Sequence, residues 1–336
     1  ANVLKRTRRP FFFVCGRKDD RKALKEIRSW AEAAQVKKRL KRSIIGIAGY
    51  TFDGMGDFGL DTTLLNTALG PEVKHLSLSF LSDTIKGVGD LEVEKETELD
   101  REKYTICKTL DPRLHKTSNR VYIGLRKVVE ELSLNAFTMH FQGILENPGI
   151  ETVPFLAISK LQEQGLAYAG EGDLIGAAAN LMMRYLCGDT LFTETFCPDF
   201  DGGKLVMGHM GESNPAFGVE TVLRQKKFIY GKTVDPVVAH VNMRGGEKAT
   251  VLNLGLVEDN KFQITVYTGE VCEKIKSAGD IDMPYFHFKP DIELTRFLTM
   301  YGQAGGTHHL AMAPGDRKDE ILKLAGMLEI NTVVLE

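Results

Sequence analysis

The spacing of apolar residues changes character along the chain. Over roughly the first 190 residues, short apolar runs alternate with amphipathic stretches. Phe11–Cys15 (FFFVC) is an aromatic and β-branched run that predicts a buried strand. Residues 19–40 follow with helical spacing, in which Leu24, Ile27, Trp30 and Ala31 share one face. Ser43–Ala48 predicts another strand, stopped by Gly49, and His75–Phe80 (HLSLSF) alternates as a half-buried strand does. Arg120–Leu132 reads as a helix and Asn135–Phe141 as a strand. Leu156–Gly165 is a glycine-ended helix with the short strand Ala167–Ala169 after it. Strand and helix in alternation imply a parallel sheet with helices on its faces, a Rossmann-like α/β domain over 1–195.

Beyond about residue 200 the period shortens. Lys204–His209, Val219–Phe228, Val237–Asn242, Ala249–Leu256 and Lys261–Tyr267 read as strands. Polar turns such as Glu258-Asp259-Asn260 separate several of them. This predicts an antiparallel, barrel-like second domain over 196–336, closed by helices at Ile292–Tyr301 and Asp316–Leu328 and a strand at Thr332–Leu335.

Composition narrows the class. The 336 residues carry a net charge of -2, with 43% hydrophobic and 26% charged residues. A globular chain fits these values; a disordered or collagen-like one does not. Five scattered cysteines without a CxxC pair suit a reducing, cytoplasmic compartment and offer no zinc-finger spacing. No apolar run approaches the ~20 residues of a membrane span. Near-balanced charge argues against nucleic acid as a partner. The basic runs 5–9 and 37–43 and the acidic run 91–102 read as solvated faces or loops.

Three segments carry candidate chemistry. In residues 169–186 (AGEGDLIGAAANLMMRYL) a strand ends, Gly170 and Gly172 allow a tight turn, and a helix begins near Asp173. Asp173 is placed to cap that helix; it and Gly172 are also candidates for contact with a ligand. The run lacks the GxGxxG spacing of a dinucleotide site. In residues 191–215, Glu194 lies on or just after a strand between Phe192 and Phe196, and Glu212 follows an apolar run. Strand alternation would put His209 and Gly211 on one face, and Met210 and Glu212 on the other. A carboxylate in such surroundings must be paired, protonated or metal-bound. In residues 302–316, Gly305 and Gly306 bend the chain before His308 and His309. In an extended segment one imidazole enters a site while its neighbour packs behind it. Two carboxylates and an imidazole from distant segments form a donor set for Mn²⁺ or a similar divalent ion.

Together these segments resemble the L-arabinose isomerase and L-fucose isomerase superfamily. The carriers are GEGD (170–173) before an alanine-rich helix, LFTE (191–194), G-H-M-x-E (208–212) and AGGTHH (304–309), in matching order and spacing. The resemblance implies an α/β domain followed by a β-barrel-like domain. It also implies a catalytic Mn²⁺, or another divalent metal, held by Glu194, Glu212 and one histidine of the pair, His309 before His308. Glu194 and Glu212 also become the acid/base candidates, with His209 orienting Glu212 or a substrate hydroxyl.

Two departures accompany the match. The family carries a further N-terminal α/β domain that helps form a neighbouring subunit's sugar pocket, so this sequence is expected to be a shortened or split form, or part of a longer chain. Arabinose isomerases also place a metal-site histidine before a K-x-D-P stretch. Here GKTVDP (231–236) is present, but the preceding residues are Arg224-Gln225-Lys226-Lys227.

The expected activity is aldose–ketose isomerisation of a monosaccharide through an enediol, in a trimer or hexamer. The alternatives are a sugar-binding relative without turnover and a metal-dependent lyase or hydrolase of a carbohydrate.

Overall fold

The computed structural model describes residues 1–147, 149–272 and 283–336. Its first five strands are β1 (Ile44–Ala48), β2 (Glu72–Leu76), β3 (Thr105–Ile106), β4 (Ala136–Met139) and β5 (Ala167–Ala169). Four of them form a parallel sheet in the order β2-β1-β4-β5. Each is short, and β4 and β5 are buried throughout, as a sheet covered on both faces requires. The alanine-rich helix Leu174–Cys187 buries its first ten residues against β4, β5 and the strands that follow. Each buried Leu, Ile or Met there contributes about 1.5–3 kcal/mol relative to exposure.

The remaining strands are β6 (Leu191–Asp199), β7 (Lys204–Gly208), β8 (Gly218–Gln225), β9 (Val237–Met243), β10 (Glu247–Val257), β11 (Lys261–Cys272), β12 (Tyr285–Pro290), β13 (His309–Pro314) and β14 (Asn331–Val334). Six of them close an antiparallel barrel, β10-β13-β6-β7-β12-β11 and back to β10. Closure leaves those six without a free edge. β14 extends β11 in parallel, and β3, β8 and β9 make a separate small sheet. One apolar core joins the halves: sheet residues such as Ile47 and Phe137 share a cluster with Leu252, Ile264 and Ala311 of the barrel.

Several sequence readings need correction. Phe11–Cys15 is irregular, with Phe13 76% exposed, because no sheet edge lies beside it; Phe12 stacks on Trp30 instead. The first long helix is Arg21–Leu40, capped by Asp20. Its packed face is Ala23, Ser29, Ala33, Val36 and Leu40, whereas Leu24 and Ile27 are exposed. Small residues on that face allow close approach to the helices Lys318–Leu328 and Leu174–Cys187.

Strand pairing in 75–80 ends at Leu76. Ser77 then accepts a hydrogen bond from the Phe80 N–H and starts a helix at Leu78–Lys86. The acidic run 91–102 lies in the helix Asp90–Lys103, which is solvated except along Val93, Thr97 and Asp100. The expected strand 135–141 stops at Met139, and a helix occupies Phe141–Glu146.

Candidate active site

The candidate residues gather at the carboxyl ends of the parallel strands, where open α/β sheets bind ligands. After β5 the chain turns through Glu171 (φ 62°) and Gly172 (φ 73°), both left-handed. A Cβ on Gly172 would lie 2.3 Å from the Tyr50 carbonyl oxygen, so glycine lets the loop after β1 cross here. That loop is fastened by the Phe52 N–H to the Glu171 carbonyl (3.0 Å) and the Thr51 hydroxyl to the Gly172 carbonyl (3.2 Å). Gly172 therefore shapes the turn through its backbone.

Asp173 caps the next helix: Oδ1 accepts from the N–H groups of Ile175 and Gly176, each at 2.9 Å. Its Oδ2 lies 2.9 Å from Nδ1 of His309. A carboxylate only accepts, so Nδ1 of His309 carries the hydrogen of this bond. The Nε2 of His309 is buried without a hydrogen-bond partner, 3.8 Å from Oε2 of Glu171.

His308 does not pack behind its neighbour. It precedes β13, in a bend rather than an extended segment, and its ring centroid lies 4.3 Å from that of His309. Phe58 stacks on both imidazoles, and Nδ1 of His308 lies 3.4 Å from Oδ2 of Asp57. Ligand atoms of Glu171, His308 and His309 lie within 4.8 Å of one another, the one such trio among the described residues.

Glu212 and His209 form a second cluster. β7 ends at Gly208 and the chain bends, so alternation fails and the two side chains meet. Nδ1 of His209 is 2.9 Å from Oε1 of Glu212, an ion pair almost wholly shielded from solvent. Gly211 permits the bend, since a Cβ there would lie 2.2 Å from the Phe155 ring. Burial opposes charge on His209, but Glu212, helped by Glu194 and Glu171, outweighs it and pushes the imidazole up to about 9. Burial likewise opposes ionisation of Glu212, yet His209 and the Tyr168 hydroxyl hold its pKa below the usual value. Oε2 of Glu212 is buried without a hydrogen-bond partner.

Glu194 sits on β6 directly opposite His309 on β13, and opposite Gly208 on β7. The Phe192 ring stands edge-on to His209 and His309, at 4.8 Å from each. A cavity of about 220 Å³ opens beside these groups. Glu171, Tyr168, His209 and Glu212 line it together with Phe141, Ile144, Phe155, Phe228 and Tyr230. Phe228 and Tyr230 follow Arg224-Gln225-Lys226-Lys227, the region where the resemblance would have placed a histidine.

The sequence reading passed over Glu171. Its signal was a carboxylate between two glycines, which reads as a surface turn unless the turn is known to end a buried strand. Nothing local pointed to Phe58 or Tyr168.

Family comparisons bear on the two-part fold that carries these residues. Residues 59–189 match the L-arabinose isomerase central domain, and residues 189–331 match the L-arabinose isomerase C-terminal domain. The L-arabinose isomerase of Enterobacter sp. (strain 638) is 24% identical, aligned over 98% of this chain and 68% of its own length. Those of Escherichia coli (strain 55989 / EAEC) and Shigella flexneri show the same identity and coverage. With two consecutive domain matches running from residue 59 to 331 over a parallel sheet and a closed barrel, the chain belongs to the L-arabinose isomerase family.

Proposed function

We propose that the protein interconverts an aldose and a ketose, using a divalent cation of the Mn²⁺ class. The observation that carries this reading is a pair of unpartnered buried atoms: Oε2 of Glu212, which lines the cavity, and Nε2 of His309, 3.8 Å from Glu171 of the same lining. Carboxylates and imidazoles suit such an ion, and His309 is steadied by Asp173 as metal-ligating histidines are by carboxylates. The resemblance names Glu194, Glu212 and His309 as its holders, with His308 as the neighbouring candidate. When bound, the ion supplies Lewis acidity that stabilises an enediol oxyanion.

The protein's own residues do the rest. Oε2 of Glu212 accepts the proton from the carbon beside the carbonyl and returns it to the adjacent carbon. A hydroxyl proton crosses between the two oxygens, so no atom or electron is gained or lost. His209 keeps Glu212 ionised through their ion pair, so its carboxylate is in the form that accepts a proton. The aromatic walls exclude water and receive the apolar face of the carbon chain.

We propose a homo-oligomeric assembly, which would cover exposed apolar side chains such as Phe13, Leu24, Ile27 and Ile229. Incubation with a panel of aldoses and MnCl2, followed by identification of products, tests the reading. A ketose of unchanged mass supports it; cleavage products or unchanged sugar from every aldose contradict it.

A further inference from the structure

We propose that the far part of the cavity is a hydrocarbon subsite, and that the preferred substrate is an aldose whose last carbon is a methyl group instead of a hydroxymethyl group. This inference rests on the isomerase reading and names the substrate class of that same site. The lining divides by chemistry. Among the described residues that line the cavity, Tyr168, Glu171, His209, Glu212 and Tyr230 bring polar side chains, and the others are apolar.

The apolar part is continuous and starts beside the proton acceptor. Phe155 lies against Gly211, the neighbour of Glu212 in the chain, where a Cβ would come within 2.2 Å of its ring. Phe155 meets Phe228 edge-on at 6.3 Å, and Phe228 meets Tyr230 at 5.6 Å. Val153 belongs to the same cluster, and Met210 packs against it. Glu212 and Phe228 are buried, whereas Tyr230 is 56% exposed, so this wall leads from the carboxylate to the mouth. A sugar whose reacting carbons lie at Glu212 therefore lays its far carbons along Phe155 and Phe228. The backbone there has its donors engaged. The Phe155 N–H donates to the Val153 carbonyl (3.0 Å), the Ile158 N–H to the Pro154 carbonyl (2.9 Å) and the Phe228 N–H to Asp235 (3.0 Å). The Phe155 carbonyl accepts from the Ser159 hydroxyl at 2.9 Å. A terminal hydroxyl placed there leaves water and meets no partner, which is costly. A methyl group gains from the same wall. The Tyr230 hydroxyl stands at the solvated mouth, beyond Phe228.

Pairs of aldoses that differ only at the terminal carbon test the subsite: L-arabinose with 5-deoxy-L-arabinose, and D- and L-galactose with their 6-deoxy forms. Dissociation constants come from isothermal titration calorimetry with MnCl2 present, and kcat/KM from ketose formation. The proteins are wild type, Val153→Thr and Phe228→Tyr, with thermal melting as the folding control; each variant adds one hydroxyl to the wall. In at least one pair the deoxy sugar should bind more tightly, and react with higher kcat/KM, by about 10- to 100-fold, the range within which an apolar pocket rejects an added hydroxyl. At least one folded variant should narrow that preference by about 2- to 10-fold, the worth of one hydrogen bond. Equal or tighter binding of the hydroxymethyl member in every pair overturns the subsite, and ketose formed in that case spares the isomerase reading. A preference unchanged in both folded variants also overturns it. Tighter binding of a deoxy sugar without ketose from any aldose supports the subsite and overturns the isomerase reading. No binding of any of these sugars by folded wild type overturns the subsite.

Discussion

At the scale of single residues, the account turns on Glu212 and its imidazolium partner. Replacing Glu212 by Gln keeps the volume but removes the proton acceptor and the charge that sustains His209. We expect the turnover number to fall about 10²–10⁴-fold, the usual worth of a positioned acid or base. The fold should persist, as read by circular dichroism. The same variant should lower the titration midpoint of His209 from about 9 toward the ordinary imidazole range, visible in its ring proton shifts by NMR. Unchanged turnover at saturating Mn²⁺ would remove Glu212 from the mechanism. At this scale the sequence was partly legible. His209, Glu212, His308 and His309 stood out because their types and their glycine neighbours are uncommon in plain core. Glu171 did not, because its meaning depends on a left-handed backbone that brings it under His309, and no pattern of residue types records that contact. The pairing of His209 with Glu212 needed the bend after Gly208, which strand alternation does not foresee.

At the scale of elements, two junctions are open to test. Gly172 and Gly188 both have positive φ, 73° and 87°, but only Gly172 faces backbone, whereas Gly188 faces open space. Gly172→Ala should destabilise the protein by about 1–3 kcal/mol more than Gly188→Ala in urea unfolding, because it adds a steric conflict to the same backbone penalty. Equal costs would mean that the loop after β1 yields freely.

The second junction joins three helices. Asp100 of Asp90–Lys103 meets His115 and Asn119 of Pro112–Glu131 and Lys160 of Phe155–Glu163, all buried. Burial alone would raise the Asp100 pKa, but His115, Lys160 and Asn119 outweigh it and hold it below the usual value. Its folded pKa is thus depressed, so its contribution is present above the unfolded value of about 3.9 and is lost as pH falls through the folded value. Asp100→Asn should cost about 3 kcal/mol at pH 7, since it leaves Lys160 and His115 short of a buried partner. The gap to wild type should narrow below about pH 4. A gap independent of pH would show that Asp100 acts by packing alone.

The periodicity along the chain gave β1, β4, β5 and most barrel strands. It misread Phe11–Cys15 because an apolar run needs a sheet edge to become a strand, and the chain offers none there. It chose the wrong face of Arg21–Leu40 because close helix packing favoured alanine over leucine.

At the scale of the whole molecule, the parallel sheet and closed barrel share one core, and the site lies at the carboxyl ends of β1, β4 and β5 against β6, β7 and β13. The architecture was legible because a change from helical to strand-like period survives local errors. Helix Leu174–Cys187 ties the two parts by packing on both. The proposed assembly has its own check: light scattering should give a mass that is a multiple of the single chain, and a monomer at micromolar concentration would contradict it. Among the described residues no helix is long and apolar enough to cross a membrane.

The central claim is aldose–ketose isomerisation by proton transfer within this site. Its most direct test is NMR of an aldose panel incubated in D2O with the Mn²⁺-loaded protein and, in parallel, with Glu212→Gln. The account predicts a ketose from at least one aldose, with deuterium confined to the carbon that receives the proton and no product from the variant. Absence of ketose from every aldose by protein with Mn²⁺ bound, or equal product from the variant, would contradict it.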